Sequence, residues 1–86
     1  MEIFVMHVGY VLVNCDLGAE EYVADEIRKI PQVSSTSLTF GAYDIVVKIH
    51  AIDQDEFDHA VAENMRSISR VVSIMTLNVT DLDVQS

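Results

Sequence analysis

The chain has 86 residues, with five Lys and Arg against fourteen Asp and Glu, and its formal net charge is −9. This length suits one small domain, and this charge repels phosphate backbones, which argues against direct binding of nucleic acid. Half of the residues are hydrophobic, so the chain as a whole cannot be a disordered acidic polypeptide. Because a small domain leaves much of its surface exposed, so high an apolar fraction predicts that another chain covers part of it.

The cysteine content and the longest apolar runs bear on cofactors and location. Cys15 is the single cysteine and cannot form an internal disulfide, and no Cys and His spacing indicates a zinc site. The apolar start of the chain lacks the basic region of a signal peptide, and no run approaches the roughly 18 apolar residues of a membrane-spanning helix. We therefore expect a cytoplasmic protein with no membrane segment, no metal and no cofactor.

The first third of the chain predicts a strand followed by a helix. Residues 8–15 are apolar and rich in β-branched side chains, which is typical of a strand. Apolar residues then recur at spacings of three and four from Ala19 to Ile30, and this spacing predicts an amphipathic helix. Gly18 is the expected N-cap of this helix, and Pro31 ends it.

A hairpin follows the first helix. Residues 33–40 and 43–50 have the composition of strands, and Gly41-Ala42 between them predicts a tight turn. Asp44 stands out because Asp is disfavoured in strands. Its carboxylate either caps the turn through nearby amides or meets a group outside the hairpin.

A second helix and a fourth strand complete the pattern. Asp53 with Glu56 three residues later matches a capping box, and apolar residues at helical spacing predict a helix over about 54–67. Residues 71–79 form another β-branched run, which predicts a strand. Residues 80–86 are a short acidic tail that we expect to be frayed.

The two halves of the chain repeat one pattern. Segments 27–33 and 65–71 share an apolar-Arg-x-Ile-x-x-Val sequence that closes a helix and opens a strand. Each half is then a strand-helix-strand unit, so we expect an α+β, ferredoxin-like βαββαβ fold over a single domain, 1–86, with its core at about 8–80. Right-handed crossovers place both helices on one face of a four-stranded antiparallel sheet.

The face of the predicted sheet that lacks helices is apolar as well. A sheet with one face in water should alternate apolar and polar residues, but the third and fourth strands carry apolar residues on both faces. In the fourth strand we expect one face to hold Val71, Met75, Leu77 and Val79, and the other Val72 and Ile74. The helix-free face is therefore predicted to pack on a second copy of the chain.

Three features could carry chemistry, and each has a simpler structural explanation. Asp55 and His59 share one helical face, a spacing that could present two metal ligands but equally suits an exposed acidic helix. Asp53-x-Asp55 resembles the start of a calcium loop, but Phe57 occupies a ligand position, so we interpret it as a helix cap. Cys15 lies within an apolar strand, where a buried thiol is packing material. We find no catalytic constellation.

Taken together, the motifs resemble the effector-binding domain of the Lrp/AsnC transcription regulators, also called the RAM domain. The resemblance covers residues from about 10 to 79 and rests on Tyr10-Val11-Leu12-Val13-Asn14, Leu17-Gly18, Ile30-Pro31-x-Val33, Gly41-x-Tyr43-Asp44-Ile45-x-x-Lys48, Ile68-x-x-Val71 and Thr76. Members of this family usually carry an N-terminal helix-turn-helix, which this sequence lacks, so it is similar to the stand-alone RAM proteins.

The resemblance implies dimers joined through their sheets, which assemble into rings of eight or ten chains with amino-acid effectors held between dimers. It places Gly41, Tyr43 and Asp44 in that pocket, with Ser73, Met75 and Thr76 as weaker candidates. In these roles Gly41 lets backbone amides approach a carboxylate, Asp44 pairs with an α-ammonium, and hydroxyls orient the ligand. The implied function is non-enzymatic, acting on transcription through co-assembly with full-length Lrp/AsnC relatives.

The sequence departs from the common family pattern at two places. Relatives often carry Thr where this chain has Ile74, and many carry Pro-Gly where it has Ser69-Arg70. The first change removes a hydroxyl from the implied pocket.

Two alternative functions share the predicted topology. A small enzyme of the dimeric α/β-barrel type, such as a monooxygenase or isomerase, would use His7, His50 or Tyr43 in a cavity between helices and sheet. The apolar helix faces argue against a roomy cavity there. An ACT-like regulatory domain would instead act on a metabolic enzyme in another chain.

Overall fold

The computed structural model describes residues 7–79, and it confirms the ferredoxin-like fold. The elements are β1 (His7–Cys15), α1 (Glu20–Arg28), β2 (Val33–Leu38), β3 (Ile45–Ala51), α2 (Gln54–His59), a π-helical segment (Ala60–Met65) and β4 (Val71–Asn78). The strands form one antiparallel sheet in the order β2-β3-β1-β4. The predicted acidic tail lies outside the described residues. The helices found among residues 7–79 lack the length and hydrophobicity of a membrane-spanning segment.

The start of α1 differs from the prediction by one residue. The N-cap is Ala19, without a side-chain hydrogen bond, so the assignment of Gly18 as the cap was wrong. Gly18 instead adopts a φ of +87°, a left-handed conformation that costs glycine little, and this reverses the chain before the helix begins. Glu20 and Glu21 occupy the first turn and Arg28 the last, which complements the helix dipole.

The second helix begins as predicted but changes its geometry halfway. The Asp53 side chain accepts a hydrogen bond from the Glu56 amide at 2.9 Å, which confirms that Asp53 is a helix cap. The α-helix ends at His59, and the predicted continuation is a π-helical segment in which the Arg66 amide bonds to the Val61 carbonyl five residues earlier. Local spacing could not distinguish these geometries, because both turn the same apolar residues toward the core.

The hairpin between β2 and β3 is longer than predicted. The expected two-residue turn at Gly41-Ala42 was wrong, since residues 39–44 connect the strands. Thr39 explains the difference, because its hydroxyl donates to the Tyr43 carbonyl at 2.8 Å and its amide donates to the Asp44 carbonyl at 2.9 Å. These bonds close a wide loop, in which Gly41 adopts a positive φ of +113°.

The core lies between the two helices and one face of the sheet. Within residues 7–79 no buried residue is polar or charged. The largest fully buried side chains are Phe57, Ile27, Ile45, Ile49, Met65, Val11, Val13, Val23 and Val47. Gly9 of β1 makes room for Phe57, because a Cβ atom at Gly9 would collide with the phenyl ring. This glycine therefore sets how closely α2 approaches the sheet.

A β-bulge in β4 changes which residues share a face. Ser73 pairs with Asn14 but Val71 pairs with Cys15, so Val72 is the extra residue. The bulge shifts the alternation, and Val71 and Ile74 both pack against the core. The predicted grouping of Val71 with Met75, and of Val72 with Ile74, was therefore wrong.

Candidate functional site

Four strand ends meet beside the start of α1 and form a pocket at one end of the sheet. The chain leaves β1 and β2 here and enters β3 and β4, so three connections meet at this end, namely β1–α1, β2–β3 and the segment before β4. The pocket has a volume of about 370 Å³ and is lined by Glu20, Glu21, Leu38, Thr39, Phe40, Gly41 and Asp44. Sites for small molecules typically have volumes of roughly 300–1,000 Å³, so this pocket could hold a metabolite.

Asp44 connects this pocket to the end of β1. Its Oδ2 atom accepts a hydrogen bond from the Cys15 amide at 3.0 Å, and its own amide donates to the Val13 carbonyl at 3.0 Å. The carboxylate therefore caps the end of β1 rather than its own turn, so of the two interpretations left open by the sequence it is the second, a group outside the hairpin, that the structure supports. Among residues 7–79 no main-chain amide donates to its Oδ1 atom, which can still meet a ligand.

Cys15 lies at the end of β1, where its amide bonds to Asp44, and its side chain is buried. Burial raises the pKa of its thiol, and the nearby Asp44, Glu20 and Asp16 carboxylates raise it further. The thiol is therefore held in its neutral form, which is a poor nucleophile. This geometry supports the interpretation of Cys15 as packing material.

The rim of the pocket combines backbone access with apolar side chains. A Cβ atom at Gly41 would meet no atom within 4 Å, so the backbone at this position is open to a ligand. Phe40 is fully exposed and Leu38 is about half exposed, at 49%. Exposed apolar residues beside carboxylates form an amphipathic pocket that suits an amphipathic ligand.

The six predicted ligand-binding residues fall into three places in the protomer. Gly41 and Asp44 line the pocket. Tyr43 donates a hydrogen bond from its hydroxyl to the Met75 sulfur at 3.4 Å, and Met75 lies opposite Leu12 on the helix-free face. Two further residues lie along β4.

Ser73 and Thr76 lie on opposite faces of β4. The Asn14 side chain donates to the Ser73 hydroxyl at 3.4 Å on the helix-free face, whereas Thr76 pairs with the buried Val11 on the helix-covered face. A single protomer therefore does not bring all six predicted residues into one cavity.

Sequence reasoning missed most of the residues that line the pocket. Glu20 and Glu21 lie within the predicted helix and Leu38 and Phe40 within a predicted strand, and none of the four was assigned to a site. The topology held the missing signal, because the β1–α1 and β2–β3 connections of this fold emerge at the same end of the sheet.

The residues of the alternative enzyme do not share a cavity. The His7 ring packs edge-on against Phe57 with centroids 4.9 Å apart and hydrogen-bonds to Asn78 Oδ1 at 3.0 Å. His50 pairs with Val8 on the helix-free face, and Tyr43 contacts that face through Met75. The space between helices and sheet is filled by apolar side chains. This arrangement argues against a catalytic cavity there.

A known family and a known relative match the sequence. The profile of the Lrp/AsnC ligand binding domain matches residues 8–82. An HTH-type transcriptional regulator of Pyrococcus furiosus, PF0250, is 31% identical over 72 residues, which are 80% of this chain and 48% of that protein. The chain thus spans about half the length of this relative.

Solved structures share the fold. The crystal structure of TTHA0845 from Thermus thermophilus superposes with a TM-score of 0.86 at 23% identity, covering 92% of this chain and 99% of that one. The structure of the transcriptional regulator NMB0573 of Neisseria meningitidis, a complex with L-Met, gives a TM-score of 0.80 at 22% identity, covering 93% of this chain and 53% of that one. At these identities the likeness concerns the fold.

Proposed function

Since the chain belongs to the Lrp/AsnC ligand binding domain family, we propose that it is a non-enzymatic, oligomeric module that binds an amino acid in the cytoplasm and thereby regulates transcription. The observation that carries this proposal is the pocket of about 370 Å³ at the end of the sheet. Two of its lining residues, Gly41 and Asp44, belong to the hairpin motif on which the family resemblance rests. The complex of a structural neighbour with L-Met supports an amino acid as ligand.

The pocket offers a partner for each part of an amino acid. The Oδ1 atom of Asp44 can accept from an α-ammonium while Oδ2 holds the Cys15 amide. The open backbone at Gly41 allows amides to approach a carboxylate, and Leu38 and Phe40 can cover a side chain. Micromolar binding corresponds to about −8 kcal/mol, which a few charge-assisted bonds and one apolar contact can supply.

The helix-free face supports the proposed assembly into dimers. Its apolar strand residues are Val8, Tyr10, Leu12, Val46, Met75 and Leu77. None of the strands β1–β4 contains Asp or Glu, although the chain carries a net charge of −9. Two copies can therefore meet face to face without bringing carboxylates together, and burial of this apolar area favours association.

Higher assembly would complete the ligand site. We propose that dimers form rings of eight or ten chains, and that Tyr43, Ser73 and Met75 contact a ligand held between chains, with Thr76 a weaker candidate. The net charge of −9 disfavours DNA contact by this chain, so full-length Lrp/AsnC relatives would supply it by co-assembly. Light scattering gives the ring size, and co-purification with such a relative tests the partner.

Calorimetric titration with the twenty amino acids tests the binding function. We expect at least one to bind to the wild-type protein and Asp44→Asn to abolish that binding. The Asn side chain can still accept from the Cys15 amide, so this variant removes the charge and keeps the cap. Asp58→Asn, on the exposed surface of α2, is the matched control and should bind normally. The proposal is wrong if none of the twenty amino acids binds to the wild-type protein, or if the Asp44→Asn variant binds the same amino acid with unchanged affinity.

A further inference from the structure

We propose that the pocket at the end of the sheet selects a cationic ligand, namely a small molecule with an ammonium group at the end of an aliphatic stem. Basic amino acids and aliphatic diamines share this chemistry. The inference rests on the proposed function and specifies the class of ligand. Its basis is the charge of the pocket, whose lining contains the three carboxylates Glu20, Glu21 and Asp44 and neither Lys nor Arg.

The three carboxylates come from two elements and differ in how strongly the protein engages them. Asp44 Oδ2 holds the Cys15 amide at 3.0 Å, and Glu20 Oε2 accepts from the Gly18 amide at 3.3 Å. Glu21 accepts no side-chain hydrogen bond from residues 7–79 and is exposed. Its charge is therefore the one most available to a ligand cation.

The basic residues of the chain are engaged or located elsewhere. Arg28 pairs with Asp25 at 2.7 Å, Lys29 with Glu26 at 2.8 Å and Arg70 with Asp16 at 2.9 Å. The other two basic residues, Lys48 in β3 and Arg66 after the π-helical segment, do not line the pocket.

A second cavity of the protomer does not share the excess of carboxylates that lines the pocket at the end of the sheet. That cavity lies between α1 and the end of the π-helical segment, and its acidic residue Glu26 is already neutralised by Lys29, which lines the same cavity. At the end of the sheet, by contrast, a ligand carboxylate beside Glu20 and Glu21 would meet repulsion without a compensating cation.

The apolar wall defines the rest of the ligand. Leu38 and Phe40 lie beside the carboxylates and present exposed apolar surface. Methylene groups that end in an ammonium bury well on such a surface, as Lys side chains do in proteins. A bare metal ion would leave this wall uncovered, so the pocket fits an organic cation.

Four probes of matched size separate the possibilities by calorimetric titration of the wild-type protein. L-Lysine should bind at least tenfold more tightly than L-norleucine, which has a similar aliphatic side chain without the terminal ammonium, and L-glutamate should not bind. Cadaverine, the diamine that corresponds to lysine without its carboxylate, distinguishes the two kinds of cationic ligand. If cadaverine binds as tightly as lysine, the ligand is a diamine; if it binds much more weakly, the ligand is a basic amino acid. Either result supports a cationic ligand.

The failures of the two proposals are distinguishable. Norleucine or glutamate binding as tightly as lysine would overturn the cationic preference and leave the amino-acid function intact. Binding of cadaverine without binding of any amino acid would overturn the amino-acid function and support the cationic preference. If none of the four probes binds, the cationic preference is wrong.

A variant that removes the charge of Glu21 tests whether this residue contributes to the preference for lysine. Glu21→Gln should weaken lysine binding by about threefold to tenfold and leave norleucine binding unchanged, in line with the loss of one exposed charge partner. Glu63→Gln removes the same charge from the exposed surface of the π-helical segment and should have no effect. Equal weakening by both variants, or weakening by neither, would contradict a local role for Glu21.

Discussion

Both faces of the sheet carry apolar side chains, but only one is covered within the protomer. On the helix-covered face Val11, Val13 and Val47 are fully buried, whereas on the helix-free face Met75 and Leu77 remain 47% and 46% exposed. Apolar strand residues therefore serve two purposes. One face forms the core of the protomer, and the other presents a surface that we propose a second copy covers.

The acidic residues follow the same division. The strands contain no Asp or Glu, because a carboxylate on either face would lose its hydration when that face is covered. Acidic residues lie instead in helices and at strand ends, where Glu20, Glu21 and Asp44 converge. The faces thus carry the residues available for packing and for the assembly that we propose, and the end of the sheet carries the charges that we propose to recognise a ligand.

Phe57 tests the covered face and should give the largest effect. Phe57→Ala should lower the free energy of unfolding by about 3–5 kcal/mol, because it removes a fully buried aromatic ring and leaves a cavity. Urea unfolding followed by circular dichroism measures this loss. Phe40→Ala is the matched control, since Phe40 is fully exposed, and it should change stability by less than about 0.5 kcal/mol. Similar losses in both variants would contradict the assignment of the core.

Leu77 tests the helix-free face. Leu77→Asp places a carboxylate on this face, opposite Tyr10, and should reduce the mass measured by light scattering to the 9.6 kDa of the protomer. Circular dichroism should be unchanged, because Leu77 does not contribute to the core. Ile52→Asp is the control, as Ile52 is 69% exposed and lies outside the strands. An assembly that survives Leu77→Asp would show that this face is not the contact.

Gly9 tests how closely α2 packs on the covered face, because its missing side chain makes room for Phe57. Gly9→Ala should destabilise the protein by about 1–3 kcal/mol, since the added methyl group collides with the Phe57 ring. The double variant Gly9→Ala/Phe57→Leu measures the coupling between the two positions. We expect the penalty of Gly9→Ala to be smaller in the Phe57→Leu background. An unchanged penalty would attribute the effect to the backbone rather than to the ring.

The sequence predicted those parts of the fold that depend on local pattern. The β-branched composition of β1, the helical spacing in α1 and the cap at Asp53 each follow from neighbouring residues, and the structure confirms these elements. The wide hairpin loop and the π-helical segment depend on local hydrogen bonds, Thr39 with Tyr43 and Arg66 with Val61, which leave the spacing of apolar residues unchanged. The bulge at Val72 depends on the pairing of β4 with β1, which joins residues far apart in the chain, so local periodicity contains no signal for it.

The site was predictable only in part for the same reason. Gly41 and Asp44 belong to a short motif and could be identified from the hairpin sequence alone. Glu20 and Glu21 join them across the pocket because two loops emerge at one end of the sheet. Predicting this convergence requires the topology in addition to the motif.

Ionisation of the Cys15 thiol tests whether the covered face excludes a negative charge. It should have the smallest effect on stability. Burial, with the Asp44 carboxylate as a second cause, raises the pKa of the Cys15 thiol in the folded protein, so folding favours the neutral form. This contribution is fully present below the ordinary thiol pKa of about 8.5 and is lost as the pH rises through the raised pKa of the folded protein.

Urea unfolding of the wild-type protein and of Cys15→Ala at pH 7 and pH 10 isolates this contribution. The wild-type protein should lose more stability than Cys15→Ala between the two pH values, because all other titrating groups are common to both proteins. Equal losses would mean that the thiolate is accommodated at no cost. The covered face could then accept charge next to the pocket, and the contrast between the faces and the end of the sheet would not hold there.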